Sequence, residues 1–261
     1  MISFSQLNEI QILTFALILL RMSSFVVSAA IFNSTSISIQ LKILFSLVLT
    51  LVMFGPIATN DVLVAVKENQ NNILLLAGRE VLIGLVLGFV TRLFFFAVSI
   101  AGEIISISMG LGQAQLYNPM SGGMGNAMEQ FYIVISTLVF LAFNGHHIMI
   151  QGLVESFQSA PLAQMTFATN TLAELVYKTQ DYFIIGIKIS APILISMTIV
   201  QFAVALLSRA VPQINVLVTT ASLTVLLGFV IMFISLPLLV MQMGGMIAFS
   251  MDDFFKFLKA I

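Results

Sequence analysis

The chain has 261 residues, 59% hydrophobic and only 8% charged, too few charges to cover a soluble surface, where about a quarter is usual. Ten basic side chains against eleven acidic ones leave a formal net charge of -1, which excludes an electrostatic footprint for nucleic acid. Zero cysteines exclude disulfides, thiolate metal sites and cysteine nucleophiles.

Taken in chain order, no basic region and no small-residue cleavage pattern precedes the first apolar run, so that run is expected to belong to the mature chain. Ser3 with Gln6 has the spacing of a capping box just before it. About six apolar segments approach or exceed the roughly 20 residues needed to cross the hydrocarbon. They run Ile10 to Phe32, Leu41 to Ala58, Ile73 to Ala101, Phe131 to Ile150, Phe183 to Leu207 and Ile214 to about Phe249. The pattern predicts an all-α membrane protein. Thr171 with Glu174 repeats the capping-box spacing ahead of the fifth segment. The sixth is too long for one ordinary span, and Pro237 with Gly244 and Gly245 offers places to kink or stop, so a bent helix or two pieces is expected.

The tail reads as a separate amphipathic helix. Asp252 and Asp253 stand at its start, Lys256 and Lys259 near its end, and Phe254, Phe255, Leu258 and Ile261 among them, a charge order that suits the helix dipole. Lipid and a partner protein both remain open as the surface it lies on. No fixed-period repeat, low-complexity tract or linker divides the chain, so residues 1–261 are expected to form one domain. Lysine and arginine are spread too evenly to set a topology.

Charges inside apolar segments are the main anomaly: Arg21, Arg79, Glu80, Arg92 and Lys188. Each costs about 2.5–3.5 kcal/mol at a helix centre, so such residues normally face protein or water. Two readings stand. In one, Arg92 and Lys188 snorkel to an interface or pair with Glu103 or Glu129. In the other, carboxylates from other subunits complete the pairs. Gly84 and Gly88 form a small-xxx-small face that lets another helix approach closely.

Between the third and fourth apolar segments, Gly102 to Gln130 holds glycines 102, 110, 112, 122, 123 and 125, Pro119, and Met109, Met120, Met124 and Met128. Methionine adapts to irregular or changing surfaces. The stretch has no positive charge and so lacks the lysine of a phosphate-cradling loop. A membrane-edge connector and a mobile element lining or plugging a pathway are both compatible with it. Catalytic constellations are not found: His146 and His147 are adjacent rather than spaced for metal on one helix face, and Ser121 lacks the preceding glycine of a nucleophile elbow. No catalytic, cofactor-binding or metal-binding residue is nominated.

Several local strings carry more than composition does. Asn144-Gly145-His146-His147, then Ser156-Phe157 and Pro161, and later Ser208-Arg209-Ala210-Val211-Pro212-Gln213-Ile214-Asn215-Val216 closely resemble the FliR family of flagellar export-gate proteins. Gly102-Glu103, Gly110 with Gln113, and Asn118-Pro119 extend the resemblance over nearly the whole chain. One departure is Ser222, where the family commonly has proline, so the last segment is expected to bend less or elsewhere.

The resemblance implies a single copy joined to several FliP-like and FliQ-like subunits, with an FlhB-like gate protein nearby, in a helical assembly of the bacterial inner membrane at the flagellar basal body. Unfolded flagellar polypeptides would pass through its pore. The long helices would form tilted hairpins, the part to about residue 182 resembling FliP and residues 183–261 resembling FliQ. It further implies that Met109, Gly110, Gly112, Met120, Gly122, Gly123, Met124 and Gly125 belong to a plug across the closed channel. Arg21, Arg79, Glu80, Arg92, Lys188 and Arg209 would sit at subunit contacts, with Pro212 fixing the turn after Arg209. A homologous injectisome gate subunit stays open as an alternative. A secondary transporter fits less well, because Pro192 and Pro237 interrupt segments that have no matching halves around them.

Overall fold

The structure, a computed structural model, describes residues 8–33, 37–111, 127–163, 171–210 and 216–260. Its regular elements are α-helices and two short 3-10 turns, with no strand among the described residues. The helices are α1 (Glu9–Ser28), α2 (Ile39–Ile57), α3 (Asn60–Glu68), α4 (Ile73–Ser108), α5 (Ala127–Ala142), α6 (Gly145–Ser159), α7 (Thr171–Ala210) and α8 (Val216–Ala260). Five are long and apolar enough to cross a membrane, six if α5 and α6 count as one broken span. The chain is thus an all-α membrane protein.

Local chemistry explains most boundaries. At the start of α1 the backbone N–H of Asn8 donates to Gln11 Oε1 at 3.1 Å, half of a capping box placed later than Ser3 and Gln6, which lie outside the described residues. Ser38 Oγ accepts from the Leu41 N–H at 3.4 Å to open α2. At the other end of α4, Gly110 has φ 78°, its N–H reaches the Ile107 carbonyl at 3.0 Å, and the Leu111 N–H reaches Ser106 at 3.1 Å. Those two bonds form a Schellman motif with Gly110 at the left-handed position.

The structure corrects the sequence reading in three places. The fourth apolar segment is two helices, broken at Asn144, whose φ of 56° lies in the left-handed region that asparagine tolerates better than most residues. Thr171 is itself helical, within α7, rather than a cap before it. The sixth segment and the tail are one helix, α8, with Pro237 inside it. A break there would free backbone groups in apolar surroundings without water to receive them, whereas proline removes a single hydrogen bond. Asp252 and Asp253 therefore lie within a helix and do not start one.

The chain divides into two compact units. The first comprises residues 1–93, 144–177 and 249–261. In it α1 and α2 make a hairpin, with Phe15 edge-on to Phe54 at 5.7 Å and Phe32 tilted on Phe45 at 5.0 Å. The Gly84–Gly88 face is used inside this unit. Any Cβ on Gly84 would overlap Ser24 Oγ and the Arg21 carbonyl, and one on Gly88 would lie 2.8 Å from Ser28 Cβ. Ser28 Oγ also donates to the Gly84 carbonyl at 3.3 Å. Small residues on both helices thus bring α1 and α4 into backbone contact.

The second unit comprises residues 94–143 and 178–248. A Cβ on Gly102 would fall 2.8 Å from Glu129 Cα, and Phe94 and Phe95 pack on Phe140 with ring centroids 5.7 and 5.6 Å apart, so α4 and α5 lie close together. Gly186 of α7 meets the Ala97 carbonyl, and Gln201 Nε2 donates to the Ser108 carbonyl at 2.8 Å.

Candidate functional site

Three of the charges inside apolar segments converge in the first unit. Arg21, in α1, and Glu80, in α4, are both wholly buried; Arg79, beside Glu80, is nearly so. Nε and Nη2 of Arg21 both reach Glu80 Oε2, at 2.6 and 2.5 Å. Nη1 donates to the carbonyl and hydroxyl of Ser156, at 2.9 and 3.2 Å, and Nη2 to the Ala160 carbonyl at 2.9 Å. A guanidinium has five N–H groups in a fixed fork, so this pattern supplies an acceptor for each. The Phe157 ring lies 4.1 Å from Arg21 Cζ and adds a cation–π contact. Arg79 Nη1 donates to Glu80 Oε1 at 3.4 Å and to the Pro161 carbonyl at 3.0 Å.

The acceptors explain the excess of positive charge. Two guanidinium groups face one carboxylate, and the remainder is met by the carbonyls of Ser156, Ala160 and Pro161 at the C-terminal end of α6. A helix C-terminus carries roughly half a negative charge and up to four unsatisfied carbonyls. The cluster therefore ties α1, α4 and the end of α6 together while satisfying groups that would otherwise be buried and unpaired. No group of three or more metal-ligating side chains occurs among the described residues.

The comparisons with known proteins bear on the whole chain. The family described as "Bacterial export proteins, family 1" matches residues 12–249. Flagellar biosynthetic protein FliR of Aquifex aeolicus is 30% identical over 95% of this chain and 93% of its own length. FliR of Bacillus subtilis is 28% identical over 91% of this chain and 92% of its own, and that of Escherichia coli 29% over 85% and 83%.

This chain belongs to the FliR family of export proteins.

Several of the described strings that resemble FliR fall at structural junctions. Asn144 breaks the helix, and His146 and His147 open α6 with their rings 4.1 Å apart. Ser156, Phe157 and Pro161 surround Arg21 and Arg79, and Gly102 admits the backbone of Glu129. Arg21, Arg79 and Glu80 find partners in one another and in the carbonyls at the end of α6, a helix end whose acceptors no charged residue announces. Arg92, Lys188 and Arg209 are exposed, so they are not buried charges in this chain. Neither Arg92 nor Lys188 forms an ion pair with Glu103 or Glu129 among the described residues; Glu129 instead accepts from Ser99 Oγ.

Of the residues that the resemblance assigns to a plug, Met109 is buried against α8, where a Cβ on Gly228 would lie 2.7 Å from Met109 Cγ, and Gly110 ends α4. Gly112, Met120, Gly122, Gly123, Met124 and Gly125 lie outside the described residues.

Proposed function

We propose that this chain is a subunit of the flagellar type III export apparatus, and that with FliP-like and FliQ-like subunits it builds the inner-membrane channel through which unfolded flagellar polypeptides leave the cytoplasm. The observation that carries the proposal is the family match across residues 12–249, together with full-length similarity to relatives named for flagellar biosynthesis. Two features fit a shared assembly. The first unit closes its own buried charges, so it can fold before it meets partners. Arg92 in the first unit, Lys188 in the second and many large apolar side chains, including Phe202 and Phe233, are nevertheless exposed. Charges in such surroundings face protein or water rather than lipid.

The test is co-expression of the tagged chain with the FliP-like and FliQ-like subunits of the same bacterium, followed by purification in mild detergent. A stable complex containing all three is expected, as is restored secretion of flagellar subunits in a strain lacking its own copy. Purification without either partner, and no restored secretion, would overturn the assignment.

A further inference from the structure

From Leu76 to Leu93, α4 is exposed along a single line: Gly78, Leu82, Leu85, Phe89 and Arg92, and no other residue in that interval is exposed. The spacings are four, three, four and three, an average of 3.5, and Leu75 continues the line one step back. On both sides of it lie buried residues, among them Leu76, Ile83, Leu87 and Val90. An α-helix left open to lipid presents a broad face. A line one residue wide with a 3.5-residue period is the seam along which a second helix packs at a crossing angle of about 20°.

Two details specify what fills the seam. Gly78 has no neighbour within 4 Å of a Cβ built on it and no left-handed backbone, so nothing among the described residues requires a glycine there. A helix approaching from outside does, since small residues let helix backbones close up in a membrane. Arg92, at the other end, has no hydrogen bond or ion pair with any described residue, and a guanidinium left in hydrocarbon costs about 2.5–3.5 kcal/mol or more. Phe89 and Leu85 beside it make an aqueous wall unfavourable.

We infer that the line from Leu75 to Arg92 is the docking seam for one membrane-spanning helix of another export-apparatus subunit, apolar along about 25 Å of its length and bearing an aspartate or glutamate opposite Arg92. The inference rests on the proposed function for its class of partner and goes beyond it in naming the surface and the partner's charge. Opposite charges at membrane depth provide both register and specificity, because only one axial setting brings the carboxylate to Arg92.

The experiment places a photo-crosslinking amino acid singly at Leu82 and at Phe89, and at Val52 of α2 as a control, in cells making the complete apparatus. Leu82 and Phe89 should yield one shared adduct with a single partner subunit, absent from Val52. Arg92→Glu should lower recovery of the assembled complex by about tenfold, as expected for a like-charge contact, and a basic residue in place of the facing carboxylate should restore it. Arg92 is exposed, so the variant chain itself should still accumulate in the membrane. Adducts with lipid only, with a second copy of this chain, or with several unrelated proteins would overturn the seam. So would normal complex recovery with Arg92→Glu. If those results come with an intact three-subunit complex, the seam fails and the proposed function stands. Absence of that complex in the unsubstituted chain overturns both.

Discussion

Arg21 and Glu80 stand 59 positions apart in the chain and meet at 2.6 Å with neither side chain exposed. Glu80 occupies one edge of the guanidinium, and the carbonyls at the end of α6 occupy the other. The two ends of the pair are therefore not interchangeable. Exchanging them, Arg21→Glu with Glu80→Arg, would keep the ion pair but turn a carboxylate toward the Ser156 and Ala160 carbonyls. We expect the double variant to be no more stable than either single one, measured by thermal melting of helical circular dichroism in detergent. Arg21→Lys should lose about 2–3 kcal/mol, because an ammonium offers three donors from one point rather than a planar fork.

The α1–α4 contact makes a second prediction. Gly84→Ala should destabilise by about 1–3 kcal/mol, and Ser24→Gly should not rescue it, because the Arg21 carbonyl is also in the way of the new methyl. Gly88→Ala should be partly rescued by Ser28→Gly, since Ser28 supplies the nearest atoms. Melting temperatures of the four variants and two double variants check the difference. Equal rescue at both sites would contradict the geometry.

Gly110 should be replaceable at a definite cost. At φ 78° an alanine strains the turn that ends α4, so Gly110→Ala is expected to lose about 1 kcal/mol, and Gly110→Asn less. Thermal melting compared with Gly55→Ala, a helical glycine with open space around it, separates the backbone effect from any general effect of added methyls.

Much of this fold was legible in the sequence, because spans are marked by hydrophobicity alone and need no periodicity. The elements that were misread have local causes. Asn144-Gly145 is a turn signal, but the apolar residues on both sides hid the break it makes. Asp252 and Asp253 look like a helix start, yet α8 runs through them without a break. Gly84 and Gly88 were readable as a close-packing face. The partners of Arg21 and Arg79 were not, since main-chain carbonyls at the end of α6 have no sequence signature and counting charges cannot find them.

At the far end of α8, Phe254 is buried, and its ring stands where a Cβ on Gly152 would be. Gly152→Val should displace that ring and release the last turns from α6. Faster amide hydrogen exchange across residues 250–260, with exchange in α1 unchanged, is the expected result. Phe254→Ala should behave alike and lose about 3–5 kcal/mol of packing.

The central claim is that the buried Arg21–Glu80 pair is satisfied within this chain, so that partners dock on a unit whose central ion pair is already formed. Thermal melting of the isolated chain in detergent, with and without Arg21→Ala or Glu80→Ala, tests it most directly. Arg21→Ala leaves Glu80 with Arg79 as its only basic partner among the described residues, and Glu80→Ala leaves two buried guanidinium groups without a carboxylate, so each should destabilise the isolated chain by about 3–5 kcal/mol before any partner is present. Unchanged melting of the isolated variants, with the defect confined to assembly of the complex, would mean that these charges answer to another subunit and would contradict the account.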